Sequence, residues 1–243
     1  LQVHGGLQTY AATFLVFSDY MKHGIRISAL MKLPVLYVLT HDSIGVGEDG
    51  PPHQPIEHLA ALRSMPNVYL WRPADAKEVA AAYAKALQLQ GPSCFALSRQ
   101  NLPLYEGSGK EAMKGGYILA DSQKATPDVL LLASGSEVEQ AIKAKDLLAA
   151  EGIDARVVSM PCFAVFDAQS ETYKESVLPK AVRARLAVEA ATSFGWHKYV
   201  GLDGDVISID HFGASAPASL LFKEFGFTAE NVAERAKALV KAL

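Results

Sequence analysis

The sequence predicts an α/β protein of two domains, each a mainly parallel sheet flanked by helices. Three observations predict it. Short, almost wholly apolar runs of strand length alternate with longer amphipathic segments, the mark of a parallel sheet covered on both faces. A Gly- and Pro-rich stretch interrupts that alternation once, between residues 102 and 127. The alternation then restarts and runs to the C-terminus. The boundaries expected on this basis are a first domain over 1–109, a linker with some strand in it over 110–127, and a second domain over 128–243.

Each element has its own signal. Residues 34–40 read as a buried strand. Residues 55–65 carry Ile56, Leu59, Ala60 and Leu62 at helical spacing. Residues 68–71 form a short strand stopped by Pro73. Asp75 caps an Ala-rich helix running to about residue 90, where Gly91-Pro92 ends it. Residues 93–97 are another strand. After the linker, 129–133, 155–160 and 184–189 read as strands. Ser134-Gly-Ser136-Glu137 turns into a helix that ends near Gly152, and 231–243 form an amphipathic helix. The chain opens on Leu1-Gln-Val-His4-Gly-Gly6 with neither Met nor a capping signal. The first domain is therefore expected to be partial, N-terminally truncated.

Bulk chemistry narrows the function classes. The chain has 243 residues, 50% hydrophobic and 20% charged, with net charge −3. Its Lys and Arg are scattered, which argues against a nucleic-acid or acidic-membrane grip. No apolar run reaches the roughly 20 residues needed to cross a bilayer. Cys94 and Cys162 sit in apolar surroundings and read as buried thiols, consistent with a reducing cytoplasm.

The richest chemical segment is residues 40–55, directly after the strand at 34–40. The crevice beyond the carboxyl ends of parallel strands is the usual ligand site of such sheets. His41, Asp42, Glu48, Asp49 and His53 lie in this loop, with Gly45, Gly47 and Gly50 for sharp turns and Pro51, Pro52 and Pro55 stiffening its exit. Such a set suits sugar binding, proton transfer or a metal; the alternative is a solvated loop whose acids cap helices. Zinc is the weakest of these, since no short His or Cys pair is present. Phe14, Phe17 and Tyr20 recur every three residues, which on one helix would line a single side, either as core or as a wall for a flat heterocycle. Arg99, at the end of the strand over 93–97, stands where it meets a phosphate in the same crevice or forms a surface ion pair. In the second domain only Ser134-Gly-Ser136-Glu137 resembles an anion-binding helix start, and it reads better as a cap. His197 and His211 are isolated.

The string His41-Asp-Ser-Ile-Gly-Val-Gly-Glu-Asp-Gly-Pro-Pro-His53-Gln-Pro resembles the transketolase motif, with Pro52 where Thr is common. The resemblance continues through Trp71-Arg-Pro, Leu97-Ser-Arg-Gln-Asn101, Ala133-Ser-Gly-Ser-Glu137, Val157-Val-Ser-Met-Pro161 and Phe212-Gly-Ala-Ser-Ala-Pro217. It implies most of a pyrimidine-binding domain followed by a C-terminal domain. It also implies roles. Phe14, Phe17 and Tyr20 surround the aminopyrimidine of thiamine diphosphate; His41 and Arg99 bind the substrate phosphate. Asp49 bonds a substrate hydroxyl, and His53 binds substrate oxygens and assists proton transfer as the catalytic histidine. The implied reaction moves a ketol unit from xylulose 5-phosphate to ribose 5-phosphate, in a homodimer. The diphosphate and its Mg or Ca ion would be held by a separate domain, and an activating glutamate would lie upstream of Leu1, so this chain alone is expected to be inactive. Related thiamine enzymes, such as the β-subunit of 2-oxo-acid dehydrogenases or deoxyxylulose-phosphate synthase, fit His41, Asp49 and His53 less well. A non-catalytic dimerisation or assembly subunit of a split enzyme is the rival of another class. For the second domain, poor in chemical groups, subunit contact is the expected role.

Overall fold

The computed structural model describes residues 1–243. The first sheet has four parallel strands: β1 (Tyr10–Phe14), β2 (Leu36–Thr40), β3 (Tyr69–Trp71) and β4 (Ser93–Leu97), in the order β1-β2-β4-β3. Helices α1 (Ser18–Leu30), α2 (His58–Arg63) and α3 (Ala76–Ala86) accompany it. The second sheet has five strands: β5 (Tyr117–Ala120), β6 (Val129–Ala133), β7 (Ala155–Ser159), β8 (Arg185–Val188) and β9 (Asp205–Ile207), in the order β5-β7-β6-β8-β9. Only β5 runs antiparallel. With it go α4 (Val138–Ala150), α5 (Phe163–Asp167), α6 (Glu171–Val177), α7 (His197–Val200), α8 (Ala218–Glu224) and α9 (Ala229–Ala242). No helix is long and apolar enough to cross a membrane.

The central strands are buried on both faces, every residue of β6 and β7 included, which is why they read as unbroken apolar runs. Phe14, Phe17 and Tyr20 do not share one helix. Phe14 ends β1, paired in register with Thr40 of β2; Phe17 closes a 3-10 turn; Tyr20 opens α1. Strand pairing with β2 outweighs the local three-residue spacing, which a strand-to-helix bend reproduces by another route. Asp75 caps α3 as expected, its Oδ1 accepting from Glu78 N at 2.8 Å. The helix ends at Ala86, four residues short of the expected 90. The segment over 110–127 contains β5, whose edge position shields β7.

The two sheets share one interior. The largest apolar cluster gathers Leu131, Val157, Leu186 and Val232 of the second sheet and its helices with Ile44, Ile56, Ala74 and Ala81 of the first. Burying side chains such as Ile44 and Ile56 contributes roughly 1.5–3 kcal/mol each. Polar ties reinforce the joint. Glu78 of α3 is buried and accepts from Ser159 Oγ at 2.6 Å, Tyr117 hydroxyl at 2.8 Å and Ala74 N at 2.7 Å. Burial pushes its carboxyl upward, opposed by those three donors.

Candidate functional site

The C-terminal end of β2 delivers the chain into the loop 41–57. His41 leaves the strand with φ +60°, a left-handed backbone unusual for a residue with a side chain. Ser43 turns the chain next, its Oγ accepting from Gly45 N at 3.2 Å. Gly47 (φ +84°) and Gly50 (φ +74°) supply turns that a Cβ would strain. Gln54 holds the loop from beneath, its Nε2 donating to Gly47 O and Ala214 O, both at 3.0 Å. Ser215 Oγ donates to Glu48 O at 2.5 Å. The site loop therefore rests on residues 212–217 of the second domain.

All seven residues singled out from the sequence meet on this edge. The Phe14 and His41 rings stack with centroids 3.7 Å apart. Phe14 lies nearly parallel to Phe17 at 5.9 Å, and Phe17 meets His53 edge-on at 5.7 Å and Tyr20 at 6.4 Å. Tyr20 is 89% exposed. His53 Nδ1 donates to Asp49 O at 3.3 Å; a carbonyl only accepts, so the neutral ring keeps its lone pair on Nε2. Arg99 is exposed at the end of β4. Burial, and then the Arg99 charge, push the His41 imidazole below its ordinary value, while Asp49 and Asp42 pull the other way. Near pH 7 His41 is thus mainly neutral, and Arg99 is the cation of the cluster. The result is an aromatic wall continuous with two imidazoles, one carboxylate and one guanidinium.

Other residues lie outside that group. The two loop histidines belong to no common metal set: the three-residue His/Asp/Glu cluster is Asp19, Glu57 and His58, and Asp19 already pairs with Lys22 at 2.8 Å. Cys94 and Cys162 are buried and free, and burial pushes both thiols up, Cys162 to about 12. Glu137 does not present an anion site. It is buried and takes Arg72 Nη1 at 2.5 Å, Ser136 Oγ at 2.5 Å and Ala190 N at 2.9 Å.

Sequence reasoning missed that Arg72–Glu137 pair and everything attached to it. Arg72 Nε donates to Asp42 Oδ2 at 2.8 Å, and Nη1 reaches Ser134 O at 2.9 Å. Arg63 grips Glu189 with two bonds of 2.6 and 2.7 Å, and Trp196 Nε1 donates to Glu189 at 2.8 Å. Burial alone would raise Glu189, but Arg63 and Arg72 draw it down to about 2. The usable signal was a charged residue at the carboxyl end of several apolar strands: Asp42, Arg72, Glu137 and Glu189. These second-domain carboxylates face the first domain of the same chain, an internal role that the expectation of subunit contact did not include.

Comparison with known proteins bears on the same two bodies. Residues 1–104 match the family model for the transketolase pyrimidine binding domain, and residues 115–228 match that for the transketolase-like C-terminal domain. A transketolase of Bacillus subtilis (strain 168) is 54% identical over 99% of this chain and 37% of its own length. A chloroplastic transketolase of Solanum tuberosum is 56% identical over 96% of the chain and 32% of its own length. The transketolase structure from Leishmania mexicana superposes with TM-score 0.93 at 44% identity, covering 98% of this chain and 35% of that one. A split-gene transketolase described as an inactive β4 tetramer superposes with TM-score 0.80 at 26% identity, covering 98% of this chain and 78% of that one. The chain thus spans about a third of the length of the curated relatives it matches. Two family models in tandem, on two sheets of the matching fold, establish that this chain belongs to the transketolase family.

Proposed function

We propose that the chain supplies the pyrimidine-facing and substrate-gripping side of a thiamine-diphosphate-dependent transketolase site. The observation that carries this reading is the convergence of Phe14, Phe17, Tyr20, His41, Asp49, His53 and Arg99 on one edge of the first sheet. A partly exposed, nearly uncharged aromatic surface fits the face of a flat heterocycle, so half-buried Phe14 and Phe17 and exposed Tyr20 would hold the aminopyrimidine. What thiamine diphosphate supplies when bound is the electron sink for breaking and making a carbon–carbon bond. This chain's own residues bind and orient. Arg99, with neutral His41 donating a hydrogen bond, holds the sugar phosphate. The Asp49 carboxylate accepts from a substrate hydroxyl. His53, with Nε2 left without a partner by the Nδ1 contact to Asp49 O, accepts or returns a proton at a substrate oxygen.

The substrates proposed are ketose and aldose phosphates such as xylulose 5-phosphate and ribose 5-phosphate, the pentose phosphate pathway reaction, in a cytoplasmic homodimer. The Mg or Ca ion accompanying the diphosphate is assigned to residues outside this chain, because the Asp19–Glu57–His58 cluster carries none of the site's groups and its Asp19 is already paired with Lys22 and His58. In the enzyme carrying this chain, Arg99→Ala should raise KM for phosphorylated sugars about 10- to 100-fold, the worth of one charge-assisted bond. KM for unphosphorylated analogues should stay near its starting value. Equal effects on both would overturn the phosphate assignment.

A second reading has one observation behind it. The chain covers 78% of a split-gene transketolase chain described as an inactive β4 tetramer. On that reading the chain is an assembly subunit. Light scattering that shows a discrete oligomer, with activity only on adding a complementary chain, would favour it.

A further inference from the structure

We propose that Arg72 is a positioning residue for the candidate site, the link through which the second sheet fixes the backbone of His41. The functional consequence rests on the phosphate role proposed for His41; the structural one does not.

Arg72 is fastened to the second domain before its side chain is considered. Its N–H donates to Pro161 O at 2.7 Å, and its carbonyl accepts from Gly135 N at 3.0 Å. The guanidinium then bridges in two directions. Nε reaches back to Asp42 of the site loop, and Nη1 reaches Ser134 O and Glu137 across the joint. Only a planar fork spans both directions at once; an ammonium offers one point. Gly135 (φ +58°) makes room for it: a Cβ there would lie 2.8 Å from Arg72 Cζ.

Asp42 is the residue after His41. A left-handed backbone at a histidine persists only where its surroundings over-determine it. On one side Thr40 is locked in register with Phe14 of β1 and Leu97 of β4. On the other, Asp42 Oδ2 is held by Arg72 and by Ser98 Oγ at 3.2 Å. Releasing that second clamp lets His41 relax toward ordinary φ and takes its imidazole off the Phe14 ring, where it now stacks at 3.7 Å.

The test uses proton NMR of the histidine rings in this chain, with His41 assigned by loss of its signals in His41→Gln. Stacking on Phe14 displaces the His41 ring protons upfield. In Arg72→Lys, which keeps the charge and loses the fork, that displacement should be mostly lost. Gly135→Ala, which keeps every charged group and displaces the guanidinium, should do the same. His53 signals should hold. Arg63→Lys, in the same buried seam without touching Asp42, is the control and should leave His41 unmoved. Each variant is read at a temperature where its circular dichroism remains native. An unmoved His41 in the folded variants, or an equal shift in the control, overturns the proposal. In the enzyme, KM for phosphorylated sugar should rise about tenfold while turnover of unphosphorylated substrate changes less than about twofold. A moved His41 with unchanged KM would uphold the positioning and defeat the phosphate role instead.

Discussion

The molecule concentrates charge in two regions a few residues apart, and treats it in opposite ways. At the end of β2 and β4, Asp49 and Arg99 are exposed, and His53 bonds only a backbone carbonyl. Just behind them, Asp42, Arg63, Arg72, Glu137 and Glu189 have side chains no more than 10% exposed and are joined in one network of ion pairs. The exposed set keeps most of its hydrogen-bonding capacity unspent on the rest of the chain. The buried set has spent most of its own on itself and on Ser134, Trp196 and Ala190, leaving Asp42 Oδ1, Arg63 Nε and Arg72 Nη2 without a partner. A ligand site and a structural joint can therefore be built from the same side chains, and what separates them is whether partners already exist.

The sharpest way to break that distinction is to remove one member of the joint. Arg63→Ala takes its closest cation from the fully buried Glu189 carboxylate and leaves one arginine, Arg72, among three buried acids. It also removes the guanidinium that stacks 3.8 Å from the Phe163 ring centroid. Urea unfolding should show a loss of about 3–5 kcal/mol, the cost of breaking a buried ion pair by removing one partner. A loss below about 1 kcal/mol would mean that water reaches the joint. Acid provides the next largest effect. Glu189 sits at about 2 in the folded chain against an ordinary value of 4.5. A carboxyl depressed on folding contributes stability that is full above its unfolded value and lost as pH falls through the folded one. The Glu189 contribution should therefore decline by roughly 3 kcal/mol between about pH 4.5 and 2, each unit being worth about 1.4 kcal/mol, opposed by buried Glu78 and Glu137, whose carboxyls burial pushes up. Glu189→Gln, less stable at pH 7, should show a flatter profile across that window.

The same contrast explains what the sequence disclosed. Strands β2, β4, β6 and β7 were legible because both faces are buried, so their composition alone marks them. The site loop was legible because its glycines, prolines and ionisable groups lie next to one another in the chain. β1 was not: it is an edge strand, Tyr10 is largely exposed, and its residues follow no burial rule that sequence could reveal. The joint was invisible for a different reason. Arg63, Arg72, Glu137 and Glu189 are up to 126 residues apart, and only the docking of two sheets brings them together. A pattern of spacing cannot report a contact made by tertiary closure.

A smaller perturbation sharpens the role of the loop's support. At Gly50 the φ of +74° is strained for any side chain, and an added Cβ would sit 3.2 Å from Ser215 Cβ. Gly50→Ala should cost about 1–2 kcal/mol in chemical denaturation. It should also disturb His53, three residues on, whose N–H donates to Gly50 O at 3.0 Å. A neutral effect would show that residues 212–217 yield rather than buttress.

The smallest expected effect sets the baseline for the comparison. Lys143 and Glu139 pair at 2.6 Å, one turn apart on α4 and largely in water. The distance is close to that between Arg63 and Glu189, so a count of short ion pairs would rank the two equally. Solvent screening and the entropy of holding two long side chains should reduce the exposed pair to less than about 0.5 kcal/mol. Lys143→Ala should leave the urea midpoint nearly unchanged at low salt and wholly unchanged at high salt. If Lys143→Ala instead cost as much as Arg63→Ala, distance would matter more than burial, and the division of this molecule into a joint and a binding surface would lose its physical basis.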